Sequence, residues 1–276
     1  MNRFAFLTSL AIAVLSAQPA FAESCATRTA KIDGEPVRKV IVGAGAGDLS
    51  VVGDKARTAA KASGEACAST QALLDQVQIE TRREGDVLYI KTVLPESSVG
   101  ILSGMRSAHL DLTVELPDSV AVEIADSSGD LEVREVRSAV VVDSSGDMRI
   151  ANIHGDLKVH DSSGDIHIDT VTGNVQVEDS SSDIDVAEVT GDVEIPIDSS
   201  GGILLRGIGG NVHIGTDSSG DIVIQKVKRD VTIDNDSSGD IEARDIGGNF
   251  TVSADGSGDI RSDRVAGKVT VPRDRD

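Results

Sequence analysis

The sequence predicts an all-β protein, a single-stranded parallel β-helix of 17–19-residue coils with an irregular N-terminal capping region. Three observations carry that expectation. The phrase Asp-Ser-Ser-Gly-Asp stands at Asp126–Asp130, Asp143–Asp147, Asp161–Asp165, Asp217–Asp221 and Asp236–Asp240, with looser copies at Asp179–Asp183, Asp198–Gly202 and Asp255–Asp259. The first Asp of successive copies is separated by 17, 18, 18, 19, 19, 19 and 19 residues, a fixed period that marks a stacked repeat. Between the phrases the same five apolar slots recur, and aromatics are scarce throughout: four Phe, one Tyr and no Trp.

One repeat shows how the slots work. Ile222 and Ile224 alternate with polar positions, Val227 follows after a break, and Val231 and Ile233 alternate again. The slots read Ile166, Ile168, Val171, Val175 and Val177 in an earlier repeat, and Ile241, Ala243, Ile246, Phe250 and Val252 in a later one. Period-two alternation in β-branched residues is strand patterning, and the break between the second and third slots predicts a bend. A second turn is expected about nine residues after the first, at Gly155-Asp156, Gly173-Asn174, Gly191-Asp192, Gly210-Asn211 and Gly248-Asn249. Stacked in parallel register, like slots form apolar columns about 4.8 Å apart. Val and Ile fill so narrow an interior where Trp would not fit. An antiparallel sandwich also has regular strands, but it gives no reason for five slots to recur at one period.

The chain divides into a signal peptide at 1–22, a capping region with irregular first coils at 23–125, and regular solenoid repeats at 126–276. Arg3, the apolar run Phe4 to Leu15 and Ala20-Phe21-Ala22 have the order of a cleavable export signal. The run is too short to span a bilayer, so no membrane insertion is expected after cleavage. A lipoprotein signal needs small residues just before a Cys, and Glu23 interrupts them ahead of Cys25. In the capping region Ala44-Gly-Ala-Gly-Asp48 imitates the repeat phrase. Thr70–Val77 predicts a short helix with Leu73, Leu74 and Val77 on one face, and Val77–Arg82 with Val87–Val93 predicts a hairpin around Arg83-Glu-Gly-Asp86. His109–Leu116 and Val120–Ile124 are expected as strands leading into the first full repeat. At the other end Pro272 and the Arg-Asp-Arg-Asp tail blunt the last strand against pairing.

Cys25 and Cys67 are the disulfide candidate, because two thiols in an exported chain more often form a bridge than a metal site. Closing a loop of that length contributes about 4 kcal/mol in the chain-entropy picture. The formal charge is −20, and removing Arg3 with the signal makes it −21. Nucleic acid and anionic membrane are repelled by such a charge and are excluded as partners.

The run Leu110-Asp-Leu-Thr-Val-Glu-Leu-Pro117, a following strand, and repeated Ser-Gly-Asp-Ile/Leu and Gly-Asp/Asn-Val units resemble the bacterial putative-adhesin family of exported β-strand-repeat proteins, itself similar to GIN-type head domains. The resemblance spans about residues 36–271. It implies a right-handed, single-stranded β-helix in the cell envelope and supplies no catalytic residues.

Three readings of function follow. The first is a non-enzymatic structural or adhesion-type module of the envelope, expected in the periplasm with the cell surface or secretion as alternatives, meeting an unidentified envelope or surface component. Coil length varies by two residues, so no inserted loop walls a cleft, and no catalytic or cofactor-binding residues and no cofactor are expected. His154, His160 and His167 fall near turns or on exposed slots with no nucleophile beside them. The second reading is cation binding by the stacked Asp residues. Two unit charges 4.8 Å apart in water repel by roughly 0.9 kcal/mol, so something must compensate a column of them. Local hydrogen bonds from the Ser and Gly N–H groups are one candidate, and Ca²⁺ on the carboxylates is the other. The Gly-Gly-x-Gly-x-Asp nonapeptide of calcium β-rolls is absent, and no residue is assigned as a metal ligand. The third, a polysaccharide-acting enzyme, lacks both a cleft and sugar-stacking aromatics.

Overall fold

The computed structural model describes residues 23–95 and 107–272. The expected signal segment at 1–22 and the charged tail after Pro272 lie outside the described residues. The chain is a parallel β-solenoid with two long sheets of twelve strands each. Sheet A takes the strand that follows each repeat phrase, from Leu131–Arg134 through Ile166–Val171 and Ile222–Val227 to Ile260–Val265. Sheet B takes the strand that precedes each phrase, from Ala121–Ala125 through Val175–Glu178 and Val231–Asp236 to Phe250–Asp255, and ends with Val269–Thr270.

The slots stack as their spacing dictates. Ile166, Ile184, Ile203, Ile222 and Ile241 are successive partners in one parallel register, and each is at most 1% exposed. Val175, Val193, Val212, Val231 and Phe250 face them from sheet B. A single apolar cluster runs from Val37 to Val252 without interruption. Each fully buried Val or Ile contributes about 1.5–3 kcal/mol, so the rod is held by repetition.

The expected bend is a left-handed residue just before the third slot. Glu135, Asn152, Thr170, Glu188, Lys226, Asp245 and Arg264 all have φ between 53° and 60°, and Gly207 has 71°. Of these residue types only Asn152, Asp245 and Gly207 suit that conformation, so at the other coils the bend is set by stacking against neighbouring coils rather than by local preference.

Coil length changes without disturbing the core. In the shorter coils Val175, Val177 and Asp179 alternate strictly inward. In the longer ones an extra residue enters after the second inward slot, as at Pro196-Ile197, and Asp198 still turns inward. Ile197 takes up the shift by pointing out, 53% exposed.

The first coils stack out of chain order: the strands expected at His109–Leu116 and Val120–Ile124 form, but the first of them lies in the terminal coil and not beside the first full repeat. Leu49–Asp54 lies between Ala108–Pro117 and Leu131–Arg134, and Lys39–Gly43 lies between Val87–Val93 and Ala121–Ala125, all in parallel register. The chain forms the second coil first, goes outward to make the terminal coil, and returns. Sequence gives no sign of this, because both coils carry the same apolar alternation.

Antiparallel strands close that end. Ser24–Thr29 and Lys61–Ala68 extend sheet A, and Gln78–Glu84 extends sheet B as the expected hairpin with Val87–Val93. The short helix is Gln71–Leu74, with Thr70 Oγ1 accepting the Leu73 N–H and Leu74 buried. Arg28 donates to the carbonyls of Leu74 and Val77 at 2.7 Å, tying the first strand to the helix and the residues after it. Leu74 and Val77 pack with Ala66, Ala68 and Leu110 in a separate small cluster. At the far end, among the described residues, nothing stacks on the last coil, and Val269 and Val271 are 42% and 40% exposed.

Candidate functional site

The repeat phrase builds two ladders and the mid-coil turn a third. The first Asp of each phrase continues the inward alternation of sheet B. Asp126, Asp143, Asp161, Asp179, Asp198, Asp217 and Asp236 are therefore inside the solenoid, between 0% and 4% exposed. The expectation of a charged column repelling through water is corrected here: these carboxyl groups see almost no water. One oxygen accepts a following Ser N–H at Asp126 (2.8 Å), Asp143 (2.7 Å), Asp179 (2.6 Å), Asp217 (3.3 Å) and Asp236 (3.2 Å). The local hydrogen-bonding candidate thus accounts for one oxygen per residue at most. All seven keep at least one buried oxygen with no partner, and Asp161 and Asp198 keep two.

Burial dominates their acidity. It pushes Asp126 and Asp198 up to about 7, and Asp161, Asp217 and Asp236 up to about 6, while Asp143 and Asp179 move the same way. Neighbouring carboxyls reinforce the shift, as Asp143 does for Asp126 and Asp217 for Asp198.

The last Asp of each phrase faces outward and bonds between coils. Asp130 Oδ1 accepts the Asp147 N–H at 3.2 Å, Asp147 accepts from Asp165 at 3.1 Å, and Asp165 accepts from Asp183 at 3.3 Å. Asp183 accepts the Gly202 N–H at 2.8 Å, but Gly202 has no carboxylate to continue. The ladder resumes from Asp221 to Asp240 and from Asp240 to Asp259, both 2.9 Å. Phrase glycines make these turns possible. Gly146 has φ 124°, and a Cβ there would sit 1.9 Å from the Gly129 carbonyl oxygen.

The mid-coil turn carries a third ladder in which Asp and Asn alternate: Asp156, Asn174, Asp192, Asn211, Asp230 and Asn249. Each side-chain oxygen accepts the next coil's N–H, for example Asn174 to Asp156 at 2.9 Å and Asn211 to Asp192 at 2.6 Å. Asn174, Asn211 and Asn249 also donate Nδ2–H to the preceding Asp at 3.1–3.3 Å. No two carboxylates are adjacent, and every Asp in the set faces an amide donor.

Outside sheet A two open furrows follow the outer ladder. One is lined by Asp48, Asp111, Asp130, Asp147 and Arg149, and the other by Asp165, His167, Asp183, Asp185 and Asp221. The five histidines are exposed or half-buried, each within 3.7 Å of a carboxylate; His160 Nδ1, for example, lies 3.3 Å from Glu178. Cys25 and Cys67 are exact register partners on adjacent antiparallel strands, with sulfurs 2.06 Å apart. Among the described residues, the one tight group of metal-ligating types is these two cysteines with Glu65, and paired sulfurs leave it no thiolate.

A family model, Toastrack DUF4097, matches residues 70–271, the stretch that holds the terminal coil and every repeat phrase. The chain belongs to the Toastrack DUF4097 family. Among curated proteins none matches. Similar solved structures include a putative lipid binding protein from Parabacteroides distasonis, 15% identical with a TM-score of 0.47, covering 90% of this chain and 97% of that one. A putative adhesin from the same species is 13% identical with a TM-score of 0.41, covering 91% and 97%. A putative cell adhesion protein from Clostridium sporogenes is 11% identical with a TM-score of 0.34, covering 91% and 100%. In this Toastrack chain the outer ladder gives the last Asp of the phrase a partner on the neighbouring coil, whereas the first Asp keeps a buried oxygen without one.

Proposed function

We propose that this Toastrack chain is a non-enzymatic, adhesion-type structural module of the cell envelope, exported and working in the periplasm or at the surface. The observation that carries the reading is the evenness of the stack. Phrase spacing stays within 17–19 residues, so the two sheets run on from coil to coil and, among the described repeats, no inserted loop walls a reaction cleft. Two sheets of twelve strands each suit contact over an extended surface. Its charge of −20 favours cationic or neutral partners over nucleic acid and anionic lipid. The directly opposed Cys25 and Cys67 suit an oxidising compartment.

Fractionation of intact cells, with affinity capture of what the exported chain touches, tests this reading. The expected result is processed protein outside the cytoplasm, retained by an envelope polysaccharide or protein that it leaves chemically intact. Residence in the cytoplasm with residues 1–22 still attached would overturn it. So would turnover of an envelope polysaccharide that a single Asp substitution abolishes.

A further inference from the structure

The interior aspartates form a continuous column of seven, one per coil, ending at Ala44 beside Asp126 and at half-buried Asp255 beyond Asp236. Asp198, Asp217, Asp236 and Asp255 are successive register partners, so neighbouring carboxyls are about 4.8 Å apart along the rod. Other charged groups facing the column are few. They are outer-ladder Asp48 beside Asp126, and Asp165 with His160 beside Asp179. Of these only His160 can become positive, and its imidazole already lies 3.3 Å from Glu178.

A row of buried carboxylates this close has no stable arrangement if all are ionised, because desolvation and mutual repulsion act together. The mid-coil ladder shows what does satisfy such a row. There every second carboxylate is replaced by Asn, whose N–H bonds to the Asp of the preceding coil at 3.1–3.3 Å. The interior column contains no Asn, yet each member has a buried oxygen with no hydrogen-bond partner. The missing donor has one simple source, which is a proton on the carboxyl itself. Protonating alternate members gives O–H donors facing carboxylate acceptors, the same pattern that Asn fixes permanently in the other ladder.

We propose that Asp126, Asp143, Asp161, Asp179, Asp198, Asp217 and Asp236 hold shared protons in the folded rod near neutral pH, making the solenoid a device that tightens as its surroundings acidify. The protons come from solvent when the coils close and return to it when they open, with no other reactant. In the unfolded chain each Asp releases its proton near the ordinary 3.8, whereas in the rod burial raises the values to about 6 or 7. Folding therefore takes up protons in the window between. The stabilisation is complete below 3.8 and is lost as pH rises through about 6 to 7. This is the reverse of ordinary acid denaturation.

The test is melting of the purified mature chain from about pH 8 to about pH 5, with chelator and at matched ionic strength, beside Asp161→Asn and the triple variant Asp161→Asn, Asp198→Asn and Asp217→Asn. The wild type is expected to gain several degrees on acidification. The variants should start higher at the alkaline end and respond progressively less. Infrared spectra of the unaltered protein at neutral pH should show the carbonyl stretch of protonated carboxylic acid, which keeps the proposal testable if a variant fails to fold. A melting temperature that is flat or falls over this range would overturn it, as would absence of the protonated-acid band. Calcium that raises the alkaline melting temperature, with chelator reversing the gain, would also overturn it, because a cation would then be neutralising the column.

Discussion

Asp48 accepts the amide N–H of Asp130 at 3.0 Å although 82 residues separate them in the chain. Asp48 in turn donates its own N–H to Asp111 Oδ1 at 3.0 Å, so the outer ladder begins Asp111, Asp48, Asp130 and only then follows chain order. Gly47 has φ 117°, in the range of the phrase glycines, and Ala44 occupies the place of the first Asp. A degenerate copy of the phrase is therefore built into the stack one coil below the first complete copy. Where the interior column would need another Asp, Ala44 stops it.

Gly202 breaks the same ladder, leaving the Asp221 N–H without the side-chain acceptor that its counterparts have. Its φ is not in the left-handed range, and a Cβ would meet nothing closer than 3.5 Å. Gly202→Asn supplies the acceptor without adding charge. It should stabilise by about 1 kcal/mol, from one hydrogen bond and a stiffer unfolded chain. Denaturant unfolding of the two proteins checks it.

Ser182 stands where the other phrases have Gly and has φ 119°, a conformation that non-glycine residues enter only under strain. Its Oγ accepts the Gly164 N–H at 3.1 Å, whereas Gly146 and Gly201 give theirs to the next coil's Ser carbonyl. Ser182→Gly releases the strain and leaves that carbonyl arrangement available. A gain of about 1 kcal/mol is expected, after allowing for the flexibility of Gly in the unfolded chain. Calorimetry should register a rise of a few degrees.

Asn211 lies between Asp192 and Asp230 in the mid-coil ladder. Asn211→Asp removes the amide donor and sets three carboxylates in a row, each new pair repelling by roughly 0.9 kcal/mol before screening. The expected loss is about 1–2 kcal/mol, shrinking with added sodium chloride. Melting at low and high salt measures both parts.

Much of the architecture was legible in the sequence. The slots Ile166, Ile184, Ile203, Ile222 and Ile241 stack as the period required, and the helix and hairpin of the capping region form where their patterns stood. The interior column was written there too, in Val122-x-Ile124-x-Asp126 and Val175-x-Val177-x-Asp179, where period two carries the Asp inward. The extra residue at Pro196-Ile197 and its later equivalents shifts the parity and hides the pattern in half of the repeats. The bend before the third slot was legible in the broken alternation, but its left-handed conformation was not, since Thr170 and Lys226 do not favour it. The out-of-order first coils were likewise hidden, because register between distant strands is decided by packing.

Cys25 and Cys67 face one another across the antiparallel pair that seals the capped end. Mass spectrometry of unreduced peptides from the exported protein should find them joined. Reduction should then cost up to about 4 kcal/mol, with loosening first at residues 24–29, an edge strand paired on one side only. Two free thiols would contradict the expectation.

Paired substitutions at Ile222 and Val223 address the stack most directly. Ile222 is fully buried in the continuous core and Val223, its neighbour, faces outward. Ile222→Asp places an unpaired charge inside and should cost about 3–5 kcal/mol, lowering the melting temperature by about 10 °C or more. Val223→Asp should change it by no more than a degree or two. Equal effects from the two substitutions, or a larger one from Val223→Asp, would contradict the inward column of slots on which the whole account rests.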